Sequence, residues 1–389
     1  MIDIITYNIF GDILKNLHKL NYKIIIPIIL LSIISIISIY SASIYTSSSL
    51  GNLALKQSIW YLIGWGLVIL IYRLGNNYIY EHTHILYIAG NILLLLLLIF
   101  GSEVNGTKAW FSIPGIGSFQ PSEFIKIFLM IELAFMIHNF RIKYKNPSTK
   151  EEFMFIIQSL IILLIPSILT FFEPDTGSVL IYFIIYIFMM FTSGIRYRWF
   201  IIGLIIISTL VGLVLYLYFY QENLFIKIFG NSMYYRLDRI LDWRSGNGLQ
   251  FNNSIASIGS SGLLGYGIKN TPLYFPEAAT DFIFSIYASS FGLIGVILLL
   301  IIILVLDIEI IKLSRKKLLD TDKFILSGIL GMLLFQQFQN IGMTLGILPI
   351  TGITLPFISY GGSSLLSYMI LVGILINISR NKEKNYSYK

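Results

Sequence analysis

The chain has 389 residues, of which 56% are hydrophobic and only 12% are charged. A soluble domain usually carries about 25% charged residues, so the composition excludes an ordinary soluble protein and indicates a polytopic membrane protein. The formal net charge is +7, and the lack of cysteine excludes disulfide bonds, thiolate catalysis and cysteine metal sites.

Long apolar runs predict an all-α fold of about ten transmembrane helices, because a spanning helix needs about 20 mostly apolar residues. In chain order, the predicted spans run near 24–45, 56–74, 84–100, 122–139, 154–172, 175–194, 199–220, 281–311, 324–345 and 363–379. No small-residue cleavage site closely follows the first run, which is therefore interpreted as a retained helix. We assign residues 1–389 to a single membrane domain.

Basic residues orient this predicted bundle, since cytoplasmic loops are rich in Lys and Arg. If the N-terminus lies inside, most of the 27 lysines and arginines fall in the inside segments. The N-terminal segment 1–23 and the tail 380–389 are then cytoplasmic. Membrane topology explains these basic clusters without any binding role.

Two predicted outside regions are longer than the other connections. Residues 101–121 join spans three and four, and residues 221–280 form a large extracytoplasmic loop between spans seven and eight. The larger loop is rich in aromatic residues and glycines, which predicts amphipathic segments on the membrane surface and tight turns. We find no internal repeat, which argues against an inverted-repeat transporter.

Asp281 is the most informative residue, because it stands where the polar end of the large loop enters the apolar run of span eight. An unpaired carboxylate at a membrane boundary is costly and marks a functional candidate. All four histidines fall on the predicted inner side, which leaves outer proton transfer to carboxylates. Partial burial can raise the pKa of such a group toward that of a useful base. For the nearby Glu277, structure or cation binding is favoured over chemistry.

Several cations share the outer regions. They are Lys108, Lys126, Arg236, Arg239, Arg244 and Lys269. Lys126 lies one helical turn after Glu123, which predicts an ion pair of structural or functional significance. Arg236 and Arg239 share a face if their segment is helical, which suits a phosphate, a pyrophosphate or a lipid headgroup.

Two short segments flank predicted spans. Asp175 follows Pro174 and is a good N-cap for span six, although a catalytic role stays open. Ser359 and Tyr360 precede paired glycines, which allow close approach of the backbone to a helix or a ligand. Packing is the simpler interpretation there.

Together these segments resemble the SEDS family (shape, elongation, division and sporulation proteins). The resemblance runs from about residue 24 to 380, and its motifs lie at 117–126, 173–177, 235–239, 256–267, 276–284 and 340–364. It implies an enzyme that polymerises lipid II into glycan strands at the outer face of the bacterial cytoplasmic membrane. The catalytic aspartate of the family corresponds to Asp281, and a conserved glutamate and lysine correspond to Glu123 and Lys126.

The resemblance also implies partners. These are lipid II, the growing glycan strand, a class B penicillin-binding protein that acts as transpeptidase, other elongation-complex proteins and membrane lipids. No nucleic acid is expected. The residues assigned to substrate binding or support are Glu123, Lys126, Lys108, Gln120, Asp175, Arg236, Arg239, Arg244, Glu277, Ser359 and Tyr360.

The residues present suit this transfer. Undecaprenyl pyrophosphate leaves without much protonation, so one carboxylate base suffices, whereas a glycosidase would need two carboxyl groups. Lysines and arginines would offset the charge that develops on the pyrophosphate. A divalent cation, Mg²⁺ or Mn²⁺, is a further expected cofactor with no assigned ligands.

Some positions depart from the family pattern. Ala279 stands where a histidine is common, Ser289 and Ser290 replace an acidic pair, and Lys108 replaces an arginine. Segments 340–343 and 350–353 favour the RodA subfamily and a role in elongation, whereas 235–237 and 276–278 favour FtsW and division. RodA is the main prediction, and FtsW is the alternative. A lipid-linked sugar flippase is the alternative from another class; it would use the polar residues within spans four and nine.

Overall fold

The computed structural model describes residues 21–45, 52–104, 107–113, 117–231, 234, 249–274, 276–316 and 320–380. Long helices occupy every predicted span and confirm the all-α polytopic fold. The helices are α1 Tyr22–Ala42, α2 Leu53–Leu74, α3 Asn76–Glu81, α4 Thr83–Phe100, α5 Ser122–Lys143, α6 Thr149–Phe172, α7 Thr176–Ser193, α8 Arg198–Tyr220, α9 Leu249–Ser260, α10 Ile283–Ser314, α11 Asp320–Thr344 and α12 Gly362–Arg380. Residues 222–231 are also helical.

Within the described residues, 8 helices are long and apolar enough to cross a membrane. The other two predicted spans are α5 and α7. Helix α7 is apolar but short, and α5 carries Glu123, Lys126 and Glu132 among its buried residues. Helix α5 nevertheless lies in the middle of the bundle, because it packs against α4, α6, α7, α11 and α12. Its charged residues are therefore kept away from lipid.

Helix α8 contrasts with this buried centre. None of its residues is buried, and its mean hydropathy is 2.7. A helix that is apolar all round and unburied within the protein is suited to a lipid environment. It confirms the seventh predicted span.

A small sheet occupies the region 101–121, for which the sequence predicted only a loop. Strands β1 Ser102–Val104, β2 Thr107–Ile113 and β3 Gly117–Phe119 form an antiparallel meander, with Phe111 opposite Phe119. The backbone N–H of Gln120 and the Ser363 hydroxyl group lie 3.0 Å apart in a hydrogen bond. The sheet thus leads the chain into α5 beside the start of α12.

Helix α10 differs from the predicted span 281–311. It begins at Ile283, so Asp281 lies in the preceding turn, and its 32 residues are interrupted at Gly292 (φ 62°, ψ −162°). The backbone groups freed by this break need partners, because an unpaired N–H or C=O is costly in a membrane. Segment 262–267 supplies them.

Four backbone hydrogen bonds join this segment to the break. The carbonyls of Ser289 and Ser290 accept from the N–H groups of Tyr266 and Gly267, at 2.9 and 3.0 Å. The N–H groups of Leu293 and Ile294 donate to the carbonyls of Gly262 and Leu263, at 3.0 and 3.2 Å. We call this set of four bonds the interlock.

The tight turns predicted for the large loop are confirmed at Gly262, Gly265 and Gly267, whose φ angles are +60°, +78° and +89°. Gly265 is sterically required, since a Cβ there would lie 2.5 Å from the backbone of Ser290. Gly262 and Gly267 are favoured by their positive φ angles alone, because no backbone atom lies close to the position of their Cβ.

Candidate active site

Asp281 lies in a turn that its neighbours hold firmly. The N–H groups of Thr280 and Phe282 donate to the Glu277 carbonyl at 3.2 and 3.1 Å, and the Thr280 hydroxyl donates to Glu277 Oε2 at 2.7 Å. Ala279 and Phe282 are buried on either side, and Asp281 is partly buried. The turn thus directs one carboxylate into the protein just before α10 begins.

Helix α11 and the segment after it enclose Asp281 from the other side. Asn340 Nδ2 donates to the backbone carbonyls of Asp281 and Ile353, each at 2.8 Å. Gly352 has φ +71°, and a Cβ there would lie 3.5 Å from Asp281 Oδ2. Asn340 therefore ties the Asp281 turn to the segment 351–353.

The predicted Ser359 and Tyr360 reach the same turn through the backbone. The Ser359 hydroxyl donates to the Thr280 carbonyl at 2.7 Å and accepts from the Leu355 N–H at 2.9 Å. The Tyr360 N–H donates to the Ala279 carbonyl at 2.8 Å. These contacts support the packing interpretation and place both residues behind the Asp281 turn.

The environment of Asp281 favours its protonated form. Burial, together with the negative charge of Glu277, raises the pKa of Asp281 to about 7. A carboxylate with this pKa is partly ionised at neutral pH and still basic enough to accept a proton. Asp281 therefore has the pKa that a general base would need near neutral pH.

The predicted pair of Glu123 and Lys126 forms a second, buried cluster. Lys126 is only 1% exposed, and its Nζ contacts Glu123 Oε2 and lies 4.7 Å from the centre of the Tyr368 ring. The Ser367 hydroxyl donates to the same glutamate oxygen at 3.2 Å. The ion pair is therefore confirmed, and it ties α5 to α12.

Asp175 joins this cluster as the N-cap of α7, as its position predicted. Its Oδ1 accepts from the Ser178 N–H at 3.0 Å, and its Oδ2 accepts from Gln120 Nε2 at 3.0 Å. The hydroxyl groups of Ser122 and Ser178 also donate to Oδ2, at 3.3 and 2.7 Å. Burial raises the pKa of Asp175, but the hydrogen-bond donors around it favour the ionised carboxylate. The role of this carboxylate is therefore structural.

Glu173 was not assigned to the site from sequence, yet it lies beside Asp175. It is 0% exposed, and neither of its carboxylate oxygens has a hydrogen-bond partner within the described part of the chain. Burial, reinforced by the charge of Asp175, raises the pKa of Glu173 to about 8. Glu173 is therefore largely a neutral acid at pH 7.

One segment lies against both clusters. A Cβ on Gly177 would lie 3.2 Å from Ile353 Cγ1 and 3.5 Å from the Thr351 carbonyl, while Gly352 faces Asp281. Residues 351–353 thus separate the Asp281 turn from the start of α7. The two clusters belong to one end of the bundle, although their side chains form separate networks.

The predicted outer cations are only partly placed. Lys108 is exposed on β2, and Lys269 lies over the Tyr40 ring at 4.0 Å. Arg236, Arg239 and Arg244 lie outside the described residues. A protein-only metal cage is also missing from the described ranges, where no three His, Cys, Asp or Glu side chains are grouped.

The polar residues of the spans bond mainly to one another. Glu132 pairs with His84 at 2.7 Å, Gln336 donates to the Tyr368 hydroxyl at 2.9 Å, and Gln337 donates to Asp307 at 3.3 Å. This supports the interhelical hydrogen bonds expected of such residues over a polar transport path. Two cavities of about 360 and 330 Å³ are lined by residues remote from Asp281.

The chain is similar to proteins of known family. The family model for FtsW, RodA and SpoVE, described as "Cell cycle protein", matches residues 22–384. The "Probable peptidoglycan glycosyltransferase FtsW" of Enterococcus hirae is 35% identical over 95% of this chain and 94% of its own length. The protein of the same name from Haemophilus influenzae is 31% identical, over 90% and 88%.

Solved structures show the same fold. A chain from a peptidoglycan synthase complex superimposes with a TM-score of 0.76 and 26% identity, covering 93% of this chain and 98% of that one. The rod shape determining protein RodA of Thermus thermophilus superimposes with a TM-score of 0.68 and 25% identity, covering 94% and 98%.

Proposed function

Since this chain belongs to the FtsW/RodA/SpoVE family, we propose that it polymerises lipid II into glycan strands and that Asp281 is its general base. The protein is a peptidoglycan glycosyltransferase of the SEDS family and an integral membrane protein. The observation that carries the catalytic assignment is the partly buried Asp281 carboxylate, whose pKa is raised to about 7.

In the proposed step, a sugar hydroxyl of one substrate attacks the anomeric carbon of the other. Asp281 accepts the hydroxyl proton as the new glycosidic bond forms. The bond from the anomeric carbon to the pyrophosphate oxygen breaks, and undecaprenyl pyrophosphate leaves with the electron pair. One base is enough, because the leaving group needs little protonation.

Lys126 has a structural role in this site. Its charge is offset by Glu123, and it is buried between α5 and α12. We propose that the pyrophosphate binds instead to the exposed Lys108, with the arginines of the large loop, which lie outside the described residues, as further candidates. A divalent cation remains a prediction, because Mg²⁺ can be held by one or two carboxylates together with the phosphates of a substrate. The proposed proton transfer to Asp281 does not require it.

We propose an FtsW-like role in cell division. The sequence segments 340–343 and 350–353 had favoured RodA, but the curated relatives described above are named FtsW and are more similar than the RodA structure. Those two segments lie in and after α11, where they hold the Asp281 turn. The sequence of these two segments therefore reflects their structural contacts with the Asp281 turn more than a role in elongation or division.

A transpeptidase of the class B penicillin-binding proteins is the proposed partner, in keeping with the similarity to a chain of a peptidoglycan synthase complex. We place the Asp281 end of the bundle on the extracytoplasmic side and both termini in the cytoplasm, because the basic residues are concentrated at the opposite end. Lipid II would then reach Asp281 from the outer leaflet.

The test is polymerisation by the purified protein, supplied with lipid II and Mg²⁺ or Mn²⁺. Wild type should give glycan polymer and Asp281→Asn almost none. Glu222→Gln is the matched control, because Glu222 is an exposed carboxylate at the start of the same loop. Equal polymer from wild type and Asp281→Asn would contradict the assignment, and lipid II movement across vesicles without polymer would favour a flippase.

A further inference from the structure

Helix α10 has two parts with different surroundings. Every residue from Ile283 to Ser290 is buried in the protein. Beyond the break at Gly292, residues on one stripe are about half exposed; they are Leu293 51%, Ile294 56%, Ile297 48%, Leu298 53%, Ile301 52% and Leu304 57%. This spacing is one face of a helix, and only the second part of α10 faces lipid.

The second part of α10 is long enough to span a membrane alone. It runs from Leu293 to Ser314, the end of the helix, which is about 33 Å at 1.5 Å per residue. The hydrocarbon core of a bilayer is about 30 Å thick. Leu293 and Ile294 therefore lie near one edge of the hydrocarbon.

Helix α1 independently places the edge of the hydrocarbon at the same height. It ends at Ala42, and the hydroxyl groups of Ser41 and Ser290 lie 2.8 Å apart in a hydrogen bond. At this height Lys269 places its ammonium 4.0 Å from the Tyr40 ring centre. Tyrosine and lysine are typical of the headgroup level. Leu293 lies three residues beyond Ser290, across the break at Gly292, and is the first residue of the lipid-facing part of α10.

The interlock carries the loop to this depth. Its carbonyls at Gly262 and Leu263 accept from Leu293 and Ile294. Leu263 and Leu264 are 64% and 76% exposed, and the Leu263 carbonyl accepts from the N–H of Ile294, which belongs to the exposed apolar stripe of α10. Large apolar side chains with this exposure and position need an apolar environment.

We propose that segment 262–268 is a membrane anchor, in which Leu263 and Leu264 enter the hydrocarbon of the leaflet on the Asp281 side and contact lipid acyl chains. The occupant is lipid because the backbone of Gly262 and Leu263 is bonded to Leu293 and Ile294, which belong to the stripe of α10 that faces lipid. The anchor fixes the height of the large loop, and it holds the buried first part of α10, which begins two residues after Asp281.

The absence of cysteine makes this anchor testable with single introduced cysteines. Leu264→Cys, Leu298→Cys and Asn270→Cys would each carry a nitroxide spin label in nanodiscs. Leu298 is the lipid-facing reference, and the exposed Asn270 is the aqueous reference on the same loop. Because all three side chains are exposed, none of the substitutions opens the core.

Collision rates with oxygen and with a soluble nickel chelate report the surroundings of each label. At Leu264 the oxygen-to-nickel ratio should be severalfold higher than at Asn270 and should approach the ratio at Leu298. A ratio equal to that at Asn270 would overturn the anchor, because the leucines would then lie in water. Protection of Leu264 from both reagents would overturn it too, by showing a protein partner or a second copy over this surface.

Discussion

The interlock predicts that two neighbouring glycines differ sharply in their tolerance of alanine. Gly265→Ala would place a Cβ 2.5 Å from the carbonyl carbon and oxygen of Ser290 and 2.6 Å from the Gly292 nitrogen. Real Cβ atoms do not approach backbone so closely, and backbone cannot rotate away as a side chain can. The loop must therefore separate from α10.

The magnitude follows from what separation breaks. Four backbone hydrogen bonds hold the interlock, and each contributes about 1 kcal/mol net. Separation also releases the left-handed φ of residue 265, so Gly265→Ala should weaken the closed state by about 4 kcal/mol, the sum of the four bonds. Gly267→Ala is the matched control: its φ is +89°, but the nearest atom to its Cβ would be Asn270 Nδ2 at 3.5 Å. It should cost only the strain of left-handed φ, about 1–2 kcal/mol for alanine.

Amide hydrogen exchange at Leu293 and Ile294 measures this opening, since their N–H groups donate within the interlock. The two variants should differ by about 2–3 kcal/mol, which is roughly 30- to 150-fold in exchange rate at 1.4 kcal/mol per factor of ten. Equal exchange in both variants would refute the reasoning, because it would show that the close approach of Gly265 to Ser290 does not hold the loop.

Two further predictions concern the helices around the site. Lys126→Met should destabilise the protein by about 3–5 kcal/mol, because it leaves Glu123 buried and unpaired. Adding Glu123→Gln to this variant should recover much of the lost stability. Thermal unfolding of the single and double variants in detergent checks this, and a double variant less stable than Lys126→Met would contradict it. Asn340→Leu should lower kcat for polymerisation with little change in KM, since Asn340 positions the Asp281 backbone and is not proposed to touch substrate. Steady-state kinetics measures the two constants separately, and a rise in KM alone would argue against a positioning role.

Local sequence signals predicted much of this architecture. The spans were predictable because about 20 apolar residues are needed to cross a bilayer. The Glu123–Lys126 pair follows from helical spacing, and the Asp175 cap follows from an acidic residue at a helix start. Each of these features depends on residues a few positions apart in the chain.

Features that depend on distant residues could not be predicted. Asn340 bonds to the Asp281 carbonyl across 59 positions, so its part in the site was not visible among the polar residues of α11. The break at Gly292 was hidden because the run 281–311 is apolar overall and a single glycine is common in a spanning helix, although only the residues beyond it face lipid. The three short strands were missed because two of them have only three residues.

The pH dependence of polymerisation tests the role of Asp281 most directly. A base must be deprotonated to act, so kcat/KM of the wild type should fall as the pH drops below about 7, the pKa of Asp281. Glu277 raises that pKa through its negative charge, so Glu277→Gln should move this acid limb to lower pH, while Glu222→Gln should leave it in place. An acid limb unchanged by Glu277→Gln, or one far below pH 7 in the wild type, would contradict Asp281 as the base.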